Sequence, residues 1–161
     1  MKNLSVNVKK ALLFLLFAAS LTVVHAQNDK QQKIKSLVES KHYVFTAQSM
    51  SPTGGGFRQL TSAYDLQVSD DSVEAFLPYF GRAYSPPLDP SAGAYKFTST
   101  DFTYQTVERK KGGWEIYIKP KDVKYGEELN LTIFENGSAS LRVTSNNRQP
   151  ITFNGYIEKA G

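Results

Sequence analysis

The stretch EELNLTIFENGSASLRVTS, residues 127–145, decides the fold of this chain. Leu129, Leu131 and Ile133 alternate with Asn130 and Thr132. After a break, Ala139, Leu141 and Val143 alternate with Ser140 and Arg142. Successive side chains of a β-strand point to opposite faces, so a period of two with one apolar set describes a sheet buried on one side. The break holds Asn136-Gly137, a dipeptide favoured in two-residue turns whose central residues both take positive φ. Glu135-Asn136-Gly137-Ser138 is therefore expected to join strands 127–134 and 138–145 directly.

Working outward, the same period recurs. It runs through Tyr43, Phe45 and Ala47, then Tyr64, Leu66 and Val68, then Val73, Ala75 and Leu77. It continues through Phe102 and Tyr104, through Trp114, Ile116 and Ile118, and through Ile151 and Phe153. Gly155 after the last pair marks a bulge or bend. Gly54-Gly55-Gly56, Asp70-Asp71 and Gly112-Gly113 fall between the runs, where turns belong. Residues 29–41 alone suit a helix, with Ile34, Leu37 and Val38 on one narrow stripe. The expected fold is mainly β: an antiparallel meander of eight or nine strands with one N-terminal helix. It closes into a barrel or forms a strongly bent sheet with the helix against its open side.

Residues 1–26 read as an export signal. Lys9 and Lys10 precede an apolar run from Ala11 to Val24, and Val24-His25-Ala26 fits small-x-small cleavage after Ala26. The run is shorter than a bilayer span of roughly 20 residues, and no cysteine offers a lipid anchor. The mature part, residues 27–161, is expected to be a single domain in the periplasm or outside the cell, with no membrane span. Cleavage removes three of the 19 basic residues and no acidic one, leaving 16 against 15. So balanced a charge gives no electrostatic basis for binding nucleic acid. Without cysteine, stability must come from burial, and residues 27–161 carry eight of the ten phenylalanines and all nine tyrosines.

The catalytic inventory is thin. His42 is the one histidine beyond the signal, and a triad needs a base, a nucleophile and an orienting group. One histidine and no cysteine cannot build a zinc set. Asp70-Asp71 reads as turn chemistry, Glu127-Glu128 opens a strand, and no pair of carboxylates is singled out for acid–base work. No catalytic residue, metal or cofactor is expected, and the chain is read as a non-enzyme.

LPYFGRAYSPP, residues 77–87, gathers three aromatics, an arginine and three prolines. Pro78 cannot donate to a ladder, so the strand from Val73 should end near Leu77. Two accounts compete for the rings that follow. In one they plug the end of the sheet, with the arginine stacked or paired. In the other Tyr79, Phe80 and Tyr84 line a mouth, and Arg82 meets the anionic group of a ligand. Arg148 follows Asn146-Asn147, a pair suited to a turn because Asn tolerates positive φ. It reads either as a solvated turn charge or as a second cation on the rim with Arg82.

LPYFGRAY, the Tyr95-Lys96-Phe97 strand and SNNRQPITFNGYI at 145–157 together resemble a bacterial family, domain of unknown function 4251, of exported Bacteroidota proteins. The resemblance covers nearly all of the mature chain and implies a lipocalin-like β-fold. It implies no activity and carries over no catalytic residue. The positions it highlights are Leu77 to Tyr84, with Asn147, Arg148, Gln149 and Gly155. The expected function is an exported module binding a lipid or other hydrophobic or amphipathic small ligand through Tyr79, Phe80, Arg82, Tyr84 and Arg148. The alternative is an envelope module that meets another protein or serves a structural role, without a pocket.

Overall fold

A computed structural model describes residues 28–80 and 94–161. Helix α1 spans 28–39 and buries Ile34 and Val38, with Leu37 beside them. It ends at Lys41, whose φ of 46° cannot continue a right-handed helix. Among the described residues ten strands follow: β1 (Tyr43–Pro52), β2 (Arg58–Gln59), β3 (Asp65–Val68), β4 (Val73–Pro78), β5 (Ala94–Ser99), β6 (Phe102–Glu108), β7 (Trp114–Pro120), β8 (Glu128–Ile133), β9 (Ser138–Ser145) and β10 (Arg148–Lys159). The helix, the alternating strands and the end of β4 at Pro78 are as expected.

All ten strands form one antiparallel sheet in the order β5-β4-β3-β1-β10-β9-β8-β7-β6, with β2 also on β1. The runs β3-β4-β5 and β6-β7-β8-β9-β10 each follow chain order, as in a meander, and β1 pairs β10 from Tyr43↔Lys159 to Pro52↔Ile151. The result is a nearly closed barrel. Its first and last strands are zipped together, and its opening lies in mid-chain, between β5 and β6. Those two strands are joined by Thr100-Asp101 but do not pair. The Asp122 carboxylate holds this corner, accepting from Ser99 Oγ and from the amides of Thr100 (3.0 Å) and Asp101 (3.3 Å). These bonds keep its pKa below the ordinary carboxylate value.

The inward set is the one the alternation names. Phe45, Leu66, Leu77, Ile116, Leu131, Leu141, Ile151 and Phe153 are all fully buried, and Met50, beyond the break in the β1 register, joins them. A side chain with no exposed surface has no water-sized void against it, so the interior along these residues is packed solid. The half-buried inward rings belong to the two edge strands: Phe97 on β5, Phe102 and Tyr104 on β6.

Three local expectations need correction. The β8–β9 connection is not a two-residue turn. Gly137 N–H donates to Phe134 O (2.8 Å) and Phe134 N–H to Ser138 O (2.9 Å), and of the two central residues only Gly137 has positive φ, 84°. The Asn136 side chain explains this by accepting from both the amide and the hydroxyl of Ser138, which favours an Asx turn. Asn146 and Asn147 form the expected turn, but without positive φ. Gly155 is not itself bulged. It faces a bulge on β1 between Ala47 and Ser49, where a Cβ on Gly155 would stand 1.9 Å from Thr46 O. β10 has its own irregularity between Arg148 and Ile151, which leaves Gln149 and Pro150 out of the β9 register. Among the described residues no helix is long and apolar enough to cross a membrane.

Candidate functional site

The two ends of the barrel differ in chemistry. At one, α1 lies over the β8–β9 turn: Ile34 packs so close to Gly137 that a Cβ there would be 3.0 Å from its Cδ1. The Tyr43 and Tyr104 hydroxyls meet at 3.1 Å, and Lys41 Nζ sits 5.2 Å from the centre of the Tyr104 ring. Burial raises both tyrosines' pKa values.

At the other end stands Arg148. It is 6 % exposed, so it is no solvated turn charge. Its guanidinium lies 5.0 Å from the ring centres of Tyr79 and of Tyr95, within cation–π range of both. The two rings meet edge to face at 5.6 Å, and the Tyr79 hydroxyl donates to Gln149 O at 3.2 Å. The irregularity at Gln149–Pro150 brings the start of β10 under the end of β4, which is how residues far apart in sequence share one cluster. Glu127, 5 % exposed, enters the same cluster from the β7–β8 connection and accepts from the Tyr125 amide at 3.3 Å. Burial pushes the Tyr95 hydroxyl far above its ordinary pKa. Tyr79 and Glu127 add to the rise and Arg148 opposes it, so burial wins and the phenol stays neutral. Phe80, half exposed, continues the cluster outward beneath the Arg58 guanidinium, 5.0 Å from its ring.

The structure thus brings together two of the five expected ligand residues, Tyr79 and Arg148, while Phe80, next along the chain from Tyr79, meets Arg58. Arg82 and Tyr84 lie outside the described residues. Two members escape sequence reasoning. Tyr95 reads only as part of a strand, and its inward position is the signal. Glu127 reads as a strand-opening acid, and only its neighbour Leu129, two residues on and inward-facing, hints that it turns in. His42 is exposed at the α1–β1 junction, at the helix end of the barrel. Among the described residues no group of three or more His, Cys, Asp or Glu could hold a metal ion.

An antiparallel, nearly closed barrel with a charged and aromatic end defines the class: a mostly β, barrel-like domain with, among the described residues, a single helix. Residues 25–157 match the model of the family described as domain of unknown function (DUF4251), and the chain belongs to that family. A crystal structure of a DUF4251 family protein from Bacteroides eggerthii superposes with a TM-score of 0.61. It is 15 % identical, covering 81 % of this chain and 87 % of that one, so the likeness is one of fold. No curated protein matches.

Proposed function

We propose that the chain is exported, cleaved after Ala26, and acts in the periplasm or outside the cell as a non-catalytic binding domain. Its ligand is an amphipathic small molecule with an anionic head. One observation carries the reading: a buried arginine set against two touching tyrosine rings at a barrel end, with an exposed phenylalanine next along the chain from one of them. Burying a guanidinium is costly unless its surroundings compensate, and a site that desolvates a cation against aromatic walls suits an anion with an apolar tail. The packed interior argues for a rim site rather than a deep calyx. The head reaches Arg148 as Tyr79 swings off Gln149 O, and the tail lies over Phe80 and Phe57, the latter 67 % exposed. The thin set of bases and nucleophiles supports a binding role over a catalytic one.

The test is native mass spectrometry of the precursor's processed product, purified gently from a bacterial periplasm and set against its denatured mass. The expected result is a mature chain beginning at Gln27 with an extra mass that vanishes on denaturation and is lost in Phe80→Ala, an exposed position whose change leaves the fold intact. An apo mass that also stays unchanged when lipid extracts are added would overturn the reading. A second reading has its own support: Phe57 and Phe80, with Arg58 over the latter, form an exposed aromatic patch suited to another envelope protein. Cross-linking in intact cells from position 57 would trap that partner if the patch is a protein contact.

A further inference from the structure

The outward face of β6–β9 carries a feature unrelated to the rim. Its registers align Gln105, Tyr117, Asn130 and Arg142 in one row across four strands. These side chains border a hollow of about 480 Å³ in the sheet's outer surface. That is within the size range of small-molecule sites, roughly 300–1,000 Å³.

A solvated sheet face is ordinarily polar, so polarity alone says nothing. Three further observations set this one apart. First, Tyr117 lies down along its strand instead of standing off it: its hydroxyl donates to Glu115 Oε2, two residues back on the same face, at 2.7 Å. The ring is 41 % exposed and presents a fixed apolar platform among hydrogen-bonding groups. Second, the flanking groups in the row are an amide, a second amide and a guanidinium, the planar multidentate donors that match vicinal hydroxyls and carboxylates. Third, the charges do not cancel. Lys119 and Glu128 pair at 2.6 Å, so of the two cations that line the hollow Arg142 is the exposed one with no acidic partner among the described residues.

We infer that this outer face binds an acidic oligosaccharide, with Tyr117 stacking on a sugar ring, Gln105 and Asn130 bonding its hydroxyls, and Arg142 holding a carboxylate. A sugar offers an apolar face of C–H groups and an equatorial rim of hydroxyls, and the row supplies a partner for each. The inference is independent of the rim reading, since no residue is shared and the two sites face different surfaces.

The experiment is isothermal titration of the purified protein with tetragalacturonate and with maltotetraose, its neutral counterpart in length. Tetragalacturonate should bind and maltotetraose should bind at least about tenfold more weakly, the worth of one charge-assisted hydrogen bond. Arg142→Gln should remove the preference, and Tyr117→Ala should weaken tetragalacturonate at least tenfold, as an aromatic platform would. Both positions are exposed on the outer face, so unfolding does not confound the result, and thermal melts of both variants check this. Lack of tetragalacturonate binding at millimolar concentration, equal binding of both sugars, or binding indifferent to both substitutions would each overturn the inference.

Discussion

The barrel's two ends are sealed by opposite means. The helix end closes with aliphatic side chains, Ile34 and Val38, over a glycine turn and a pair of tyrosines. The far end closes with a guanidinium against two touching rings and with a buried carboxylate. An aliphatic cap depends on burial alone, which is non-directional and indifferent to pH. An arginine–tyrosine cap depends on geometry and on the company of other charges, and desolvating those charges opposes folding. The first kind of end is indifferent to the charges around it; the second is not.

This contrast is open to attack, first where the loss of stability should be greatest. Arg148→Ala removes a buried charge and leaves a void against Tyr79 and Tyr95. It should cost about 3 kcal/mol by urea unfolding. Ile34→Ala strips the aliphatic cap and should cost about 2 kcal/mol, with no change in the salt dependence of unfolding, whereas the Arg148 variant should alter it. A loss under about 1 kcal/mol for Arg148→Ala would make that end as expendable as a surface ion pair.

Alkali tests the two ends together. Tyr43, Tyr95 and Tyr104 all have folded pKa values raised above the ordinary 10.0. The unfolded chain therefore releases these protons first. The stabilisation is complete below pH 10 and is lost as pH climbs through the folded values. Thermal melts should be flat up to about pH 9.5 and then fall steeply. Tyr43→Phe with Tyr104→Phe should delay that fall.

Acid acts on the corner between β5 and β6. The Asp122 pKa is lowered in the fold, so its contribution is present above the ordinary value of 3.8 and disappears as pH drops through the folded one. Asp122→Asn should cause a small, pH-independent loss near neutrality and abolish the acid-side component, as followed by circular dichroism between pH 5 and 2. Smallest of all is the change from Tyr95→Phe. The Tyr95 hydroxyl is buried without a hydrogen-bond partner among the described residues. Its deletion should therefore leave stability unchanged or slightly higher. A loss above about 1 kcal/mol would mean the hydroxyl is satisfied.

Much of this architecture was legible in the chain itself, because one-sided burial writes a period of two into every long strand. The helix stripe and the stop at Pro78 were equally plain. What escaped has a common cause. The two-residue β2, the bulge opposite Gly155 and the irregularity at Gln149–Pro150 arise from how strands must bend to meet strands remote in sequence, and no local pattern encodes that. The candidate site suffers from the same blindness. Tyr79 and Phe80 announced themselves by crowding, but Arg148 read either as a turn charge or as a rim cation until the bend in β10 carried it under Tyr79. Glu127 looked like one of two strand-opening acids, although only Glu128 faces solvent. Asn-Gly suggested a tighter turn than the one formed, since Asn136 commits its side chain to Ser138.

The zipper between β1 and β10 has a consequence in time. Ribosomes and export channels deliver a chain from its amino end, yet Tyr43 must wait for Lys159, and Pro52 for Ile151, before the first strand has its longest partner. Hairpins such as β8–β9 can form as soon as they emerge, while the seam that unites the two halves must come last. A nascent chain so arranged keeps its barrel open until the β10 residues that pair with β1 are free.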